Sequence, residues 1–282
     1  MRIFWFISTT LRIMILLLCM GQVTEGQVYE QIIDEGIDLL TIVTKQGSYT
    51  GDSRITVIRI NPYKWELIFV GKSLTGEKNG KTAREWCESN NLTGAINAGM
   101  FNSDYHTHTG FLKYRDHINS RYINNYKSVV AFDPVDGKDL PRFKIYDLET
   151  PSIDIPKILE NYSSVIQNLR LIKKPGINVW SRSDRMWSEA AIGEDKNGNI
   201  LFIFSEAPFS MYDFNNELLN SGIGIVAAQH LEGGPEAQLY IKTGTKEIEM
   251  GGSYETGFYQ NSDNMKPWPV PNILGIRKII NK

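Results

Sequence analysis

Two glutamates flank a tight turn at Leu231-Glu232-Gly233-Gly234-Pro235-Glu236. An apolar run ends at the first acid, and a second one, residues 239–241, begins just past the other. Carboxylates held beside such a turn are candidates for proton transfer. Gly233 and Gly234 would let backbone approach a ligand closely and present N–H groups to an anion. The same residues would equally make a hairpin with a solvated acid at each shoulder.

Three other groups carry possible chemistry. In Asn97-Ala98-Gly99-Met100-Phe101, Asn97 offers a donor and acceptors to sugar hydroxyls or a phosphate. Gly99 would let the chain pass close to the ligand, and Phe101 would pack on a sugar ring. The competing reading is an asparagine bonded to its own turn. His106 and His108 form a His-x-His pair, which an extended strand would place on one face. With His230, Asp104 or Glu232 they would give a zinc-type ligand set, although no His-Glu-x-x-His motif or cysteine pair accompanies them. Arg182 and Arg185, in a polar stretch before Trp187, would clamp a phosphate through bidentate contacts or form a solvated loop.

Taken in order, these blocks resemble the phosphodiester glycosidase (uncovering-enzyme) family. Gly94-Ala95-Ile96-Asn97-Ala98-Gly99-Met100-Phe101 followed by Thr109-Gly110-Phe111 is similar to its N-terminal signature. Ser188-Glu189-Ala190-Ala191-Ile192-Gly193, then Asn197-Gly198 and the apolar run 200–204, is similar to its central block. Leu231-Glu232-Gly233-Gly234 resembles its "LDGG" turn, and Pro269 to Gly275 its ending. The resemblance spans about Val57 to Ile276 and points to a divergent, bacterial-type branch. Glu232 stands where the family often has aspartate, Pro235-Glu236-Ala237 where Gly-Ser is common, and Glu189 where an arginine is common.

The resemblance implies an α+β domain and a hydrolase cleaving a glycosyl phosphodiester, a sugar joined through its anomeric carbon to phosphate, in an envelope glycoconjugate. Ordinary glycosidases use two carboxyl groups about 5–10 Å apart, a spacing Glu232 and Glu236 would meet. In this reading Glu232 is the principal carboxylate and Glu236 its helper. Asn97 and His108 orient the substrate, while Gly233, Gly234, Arg182 and Arg185 stabilise the departing phosphate. No cofactor is required; a divalent metal at His106/His108 belongs to the alternative of a metal-dependent phosphodiesterase. The motif departures motivate another alternative, a non-catalytic carbohydrate-binding or envelope-assembly protein on the same fold.

The elements that must position these residues are mostly strands. Alternating or continuous β-formers mark 54–60, 66–70, 128–133, 142–147, 190–194, 200–204, 223–231 and 238–242 as strands. Helices are expected at 82–89, at 156–168, where apolar residues line one face, and at 212–219 with Asp213 as cap. Residues 251–257 form a second glycine-rich turn that would serve as surface or line a site. No repeat or long linker interrupts the chain, so a single domain over 27–282, with a mixed or mostly antiparallel sheet and flanking helices, is expected. Residues 1–26 read as a signal peptide, with Arg2 and Arg12 before or within a short apolar core and small residues near Gly26. That implies a secreted or periplasmic protein, or an uncleaved anchor.

Of the 282 residues, 41% are hydrophobic and 22% charged, with a formal net charge of −2. Such a balance suits a soluble globular body whose partner is a carbohydrate or glycosyl phosphate, and gives no basis for broad binding to nucleic acid or an anionic membrane. Beyond the leader Cys87 is the one cysteine, which excludes an internal disulfide and reads as a core thiol.

Overall fold

Runs of β-branched and aromatic residues punctuated by glycine and asparagine favour extended chain over helix. Strands accordingly dominate the computed structural model, which describes residues 27–45 and 52–280. The expected leader, residues 1–26, lies outside the described residues. Among the described residues no helix is long and apolar enough to cross a membrane.

Three sheets organise the chain. The largest has eight strands in the spatial order Val28–Asp34, Ile37–Val43, Arg54–Ile60, Ile200–Phe209, Trp187–Asp195, Ile225–Gly233, Arg170–Lys173 and Ile177–Asn178. The second runs His117–Ser120, Leu112–Tyr114, Tyr162–Asn168, Ser128–Pro134, Phe143–Asp147. The third runs Glu247–Gly251, Gln238–Lys242, Gly94–Asn97, Asn272–Lys278, Trp65–Gly71. All described strand pairings are antiparallel. The expectation of a mixed sheet with flanking helices therefore narrows to antiparallel sheets with few, short helices.

The main core lies where one face of the large sheet meets the two smaller ones. Ala190, Ile192, Phe202 and Leu231 from the former pack with Ile96, Leu239, Ile273, Val130 and Ile166 from the latter. Alternate residues of the same central strands, Ala191, Leu201, Ile203 and Ala228, face a second cluster covered by the helix Met211–Leu219 through Met211, Phe214 and Leu218. The strand Trp187–Asp195 is thus buried on both sides, which makes it a rigid base for any polar group at its end.

Two helix expectations change. Residues 156–168 split into a short helix, Ile155–Leu159, and a strand, Tyr162–Asn168. Asp154 caps the helix by accepting from the Lys157 N–H at 2.9 Å. The strand then fills the space between Leu112–Tyr114 and Ser128–Pro134. Ile155 and Ile158 from the helix and Tyr162 and Val165 from the strand all line one third cluster, so apolar residues spaced as on a helix arose from two elements facing one core. The helix Met211–Leu219 already includes Asp213 in its first turn, and its cap is Ser210, whose Oγ accepts from the Asp213 N–H at 3.1 Å. The helix Ala83–Asn90 forms as expected, closed by a reciprocal capping box between Thr82 and Glu85. Cys87 on it is buried, and burial pushes its thiol well above the usual range, consistent with a core role.

Candidate active site

The carboxylates gather at one end of the large sheet, where Trp187–Asp195 and Ile225–Gly233 pair. The register runs Ala191 opposite His230 and Ala190 opposite Glu232, so Leu231 is an extra residue in a β-bulge. Bulges break the plain two-residue alternation and re-aim side chains, here just ahead of the Gly-Gly-Pro turn. Beside it, His230 Nδ1 lies 2.6 Å from Glu189 Oε1. A carboxylate only accepts, so Nδ1–H is the donor. The other Glu189 oxygen accepts from Trp187 Nε1–H at 2.5 Å. Both members of the pair are buried. Burial pushes the His230 imidazole down, but the charge and hydrogen bond of Glu189, with Glu232 and Glu255, more than offset this and hold it above its ordinary value. Among the described residues its Nε2 has no hydrogen-bond partner.

Past the bulge, the turn tightens into the 3-10 segment Gly234–Glu236. Gly234 has φ +61, and a Cβ there would press on Glu255; glycine is what lets Glu255 close over the turn. Three carboxyl groups result. Glu232 is 9% exposed; burial, reinforced by Glu236 and Glu255, pushes it up to about 8 against the opposing effects of His230 and the Gly233 N–H. Glu236 is raised by burial and by Glu255, and Glu255 is raised by burial, opposed by His230. The Gly233 N–H is occupied by Glu232 Oε1 at 3.1 Å.

Asn97 binds the turn itself. Its Oδ1 accepts from the Gln238 N–H at 2.7 Å, and its Nδ2 donates to the Glu236 carbonyl at 2.9 Å. Phe101 stacks edge-on with Tyr105, ring centroids 4.9 Å apart. The Tyr105 phenol is raised to about 12 by burial and by Glu236 and Glu232, which places this aromatic pair at the rim of the carboxylate cluster. Gly99, at φ +141, allows Asn168 and His108 to pack against the backbone. Gly99→Ala would drive its Cβ into Asn168 Oδ1 and His108 Cε1. Strain and overpacking together should cost about 2–5 kcal/mol, read as a lower urea midpoint at unchanged slope.

His106 and His108 do not share a face. Asp104 Oδ1 accepts the N–H groups of His106 and Thr107, both at 2.9 Å, and turns the chain between them. His106 is exposed. His108 is wholly buried with Nε2 2.8 Å from the Gln167 carbonyl, and burial lowers it to about 4, so it is neutral. Among the described residues no group of three or more His, Cys, Asp or Glu side chains is arranged to hold a metal ion. Arg182 is exposed and lies over the Tyr212 ring at 5.3 Å, and Arg185 is exposed with its N–H on Ser183 Oγ. Neither is among the charges that act on Glu232.

The structure thus brings together Glu232, Glu236, Gly233, Gly234 and Asn97, with Phe101 at the rim, and adds Trp187, Glu189, His230 and Glu255. Glu189 was legible only as a departure from a family pattern. Glu255 sits in the second glycine-rich turn, whose possible place at a site was the available signal.

The sequence profile of phosphodiester glycosidases matches residues 90–277. The chain belongs to the phosphodiester glycosidase family. Its members act on phosphodiester-linked sugars. Within it, the match begins at the end of the helix carrying Cys87 and includes every carboxylate and histidine of the cluster. The catalytic domain of zebrafish N-acetylglucosamine-1-phosphodiester alpha-N-acetylglucosaminidase, auto-inhibited by its pro-peptide, shares the fold. Its TM-score is 0.57 at 14% identity over 92% of this chain and 84% of that one. A hypothetical protein from Synechocystis gives 0.55 at 15% identity over 90% of this chain, which spans 64% of that longer one. A putative exported protein from Burkholderia pseudomallei gives 0.50 at 9% identity, over 79% of this chain and 73% of that one. No curated protein sequence matches.

Proposed function

We propose that this phosphodiester glycosidase is an exported hydrolase that breaks the bond between a sugar's anomeric carbon and phosphate in an envelope glycoconjugate. The observation that carries the reading is the buried Glu232 at the Gly-Gly-Pro turn, with Glu236 and Glu255 around it and a histidine pinned by Glu189 beside it. Burial among these acids raises the Glu232 carboxyl to about 8. The substrate is an anion, and three ionised carboxylates would repel it. A protonated Glu232, and a His230 held above its ordinary value by Glu189, reduce that repulsion.

In the reaction, water adds to the anomeric carbon and the C1–O bond breaks, its electron pair leaving on the phosphate oxygen. The proton lost by water passes to a carboxylate. Glu236, less buried than Glu232, faces the developing positive charge on the sugar and takes that proton. Glu232 donates to the departing oxygen, and His230 Nε2–H stabilises the phosphate. Export rests on the leader-like residues 1–26, and the zebrafish enzyme makes an N-acetylglucosamine 1-phosphodiester the first substrate to try.

The test is incubation of the chain from Gln27 with a panel of alkyl sugar-1-phosphodiesters, with and without chelator, and detection of free sugar. Release of sugar regardless of chelator is the expected result. Saturable binding without product would assign the site to carbohydrate binding alone, and loss with chelator would assign it to a metal. The alkaline side of the pH profile follows from Glu232 and His230, both held above their ordinary values. Activity should be sustained through neutrality and fall as pH rises through about 8, where Glu232 ionises and repels the substrate. A profile that rises across that range would contradict the assignment of Glu232 as acid.

A further inference from the structure

Beyond the carboxylates, residues 252–268 form a loop tied down at several points. Asn264 Nδ2 donates to the Gly252 carbonyl at 2.7 Å, Gln238 Nε2 bonds the Trp268 carbonyl, and the Ser188 N–H bonds the Tyr254 carbonyl at 2.9 Å. Within it, Glu255 pairs with Trp187 on one side and with Tyr259 on the other, both antiparallel. Directly opposed residues point to the same face of a sheet, so Trp187, Glu255 and Tyr259 stand in a row. Trp268 extends the row. It meets Tyr259 at 5.8 Å and Phe258 at 6.3 Å, each at 77°. Phe258 is 64% exposed, although large aromatic side chains are usually covered.

We infer that this shelf, from Trp187 through Glu255 and Tyr259 to Trp268 and Phe258, binds sugar rings beyond the one whose bond is cleaved, so that the substrate is an oligosaccharide. The inference rests on the proposed glycosidase reading for its inner end. Two strand spacings of about 4.8 Å separate Trp187 from Tyr259, roughly 10 Å before Trp268 is reached, which is more than one sugar ring occupies. Aromatic faces suit the apolar faces of pyranoses, and the polar edge of the shelf suits their hydroxyls. Tyr259 OH bonds Asp263 Oδ1, and Asn261, Ser262 and Asp263 are exposed beside it, while Ser253 and Asn264 hold the loop from within. A lipid surface fits less well, because Lys266 is the loop's one cation against Glu255 and Asp263.

The probes are N-acetylglucosamine, its β1,4-linked tetramer and the maltose and cellulose tetramers, titrated by tryptophan fluorescence and calorimetry. One tetramer should bind at least about tenfold tighter than the monosaccharide, and Trp268→Ala and Phe258→Ala should each weaken it by about tenfold. Phe258 is exposed, so its variant tests the shelf without risk to folding. Cleavage of a monosaccharide 1-phosphodiester should survive both changes. Equal affinity for monomer and tetramers, no binding by any of them, or tetramer binding indifferent to both variants would overturn the shelf. So would loss, in these variants, of binding to phosphatidylglycerol vesicles in place of sugars. If no phosphodiester is cleaved but tetramer binding depends on Trp268, the shelf stands and the hydrolase reading fails.

Discussion

Glu232→Gln should lower turnover by about 10²–10⁴-fold, the range spanned by losing a positioned proton donor. The amide keeps the shape of the side chain and its acceptor for the Gly233 N–H, so the bulge and turn remain. It cannot give up a proton to the leaving oxygen. Stability separates lost chemistry from misfolding. The folded carboxyl is raised to about 8 from an ordinary 4.5, so the low-pH form is the one that suits the fold. Its contribution is fully present below the unfolded value and is lost as pH rises through about 8. The glutamine is neutral throughout, and the variant should therefore melt above the wild type in alkaline buffer. An inactive variant with raised alkaline stability fits an acid retained for function at the expense of the fold; near-wild-type turnover removes Glu232 from the mechanism.

Glu189→Gln should have the second largest effect, on both stability and the pH profile. Glu189 accepts from His230 and from Trp187 through its two oxygens. An amide has one oxygen, so one buried donor loses its partner, at a cost of about 1–3 kcal/mol. Glu189→Ala would strand the histidine altogether and cost about 3–5 kcal/mol. Because His230 is held above its ordinary value in the fold, the stability contributed by the pair is fully present below the unfolded value, about 6.5, and is lost as pH rises through the folded one. The deficit of the glutamine variant should accordingly be largest in mild acid and shrink in alkaline buffer. Its activity should begin to fall at lower pH than the wild type's, since the imidazolium is no longer retained. An unchanged pH limb would show that His230 does not act as the cation.

The sheet-rich fold was legible because its central strands carry continuous apolar runs, 200–204 and 239–241 among them, buried along their length. The misreading at 156–168 has the reverse cause: periodicity records which residues face a core, not which backbone carries them. At the site, the paired acids and their turn could be read directly. The His230–Glu189–Trp187 chain could not, since it joins residues on two strands through a register that a bulge at Leu231 resets. His108 illustrates the converse. Its spacing from His106 suggested shared ligation, but Asp104 turns the chain between them and buries one ring while exposing the other.

The most direct test of the central claim is hydrolysis of a sugar-1-phosphodiester in water enriched in oxygen-18, with mass spectrometry of the released phosphate monoester. Attack at the anomeric carbon leaves the phosphate unlabelled, and that is the expected result, abolished in Glu232→Gln. Label in the phosphate would mean attack at phosphorus, and the glycosidase reading of this site would be wrong.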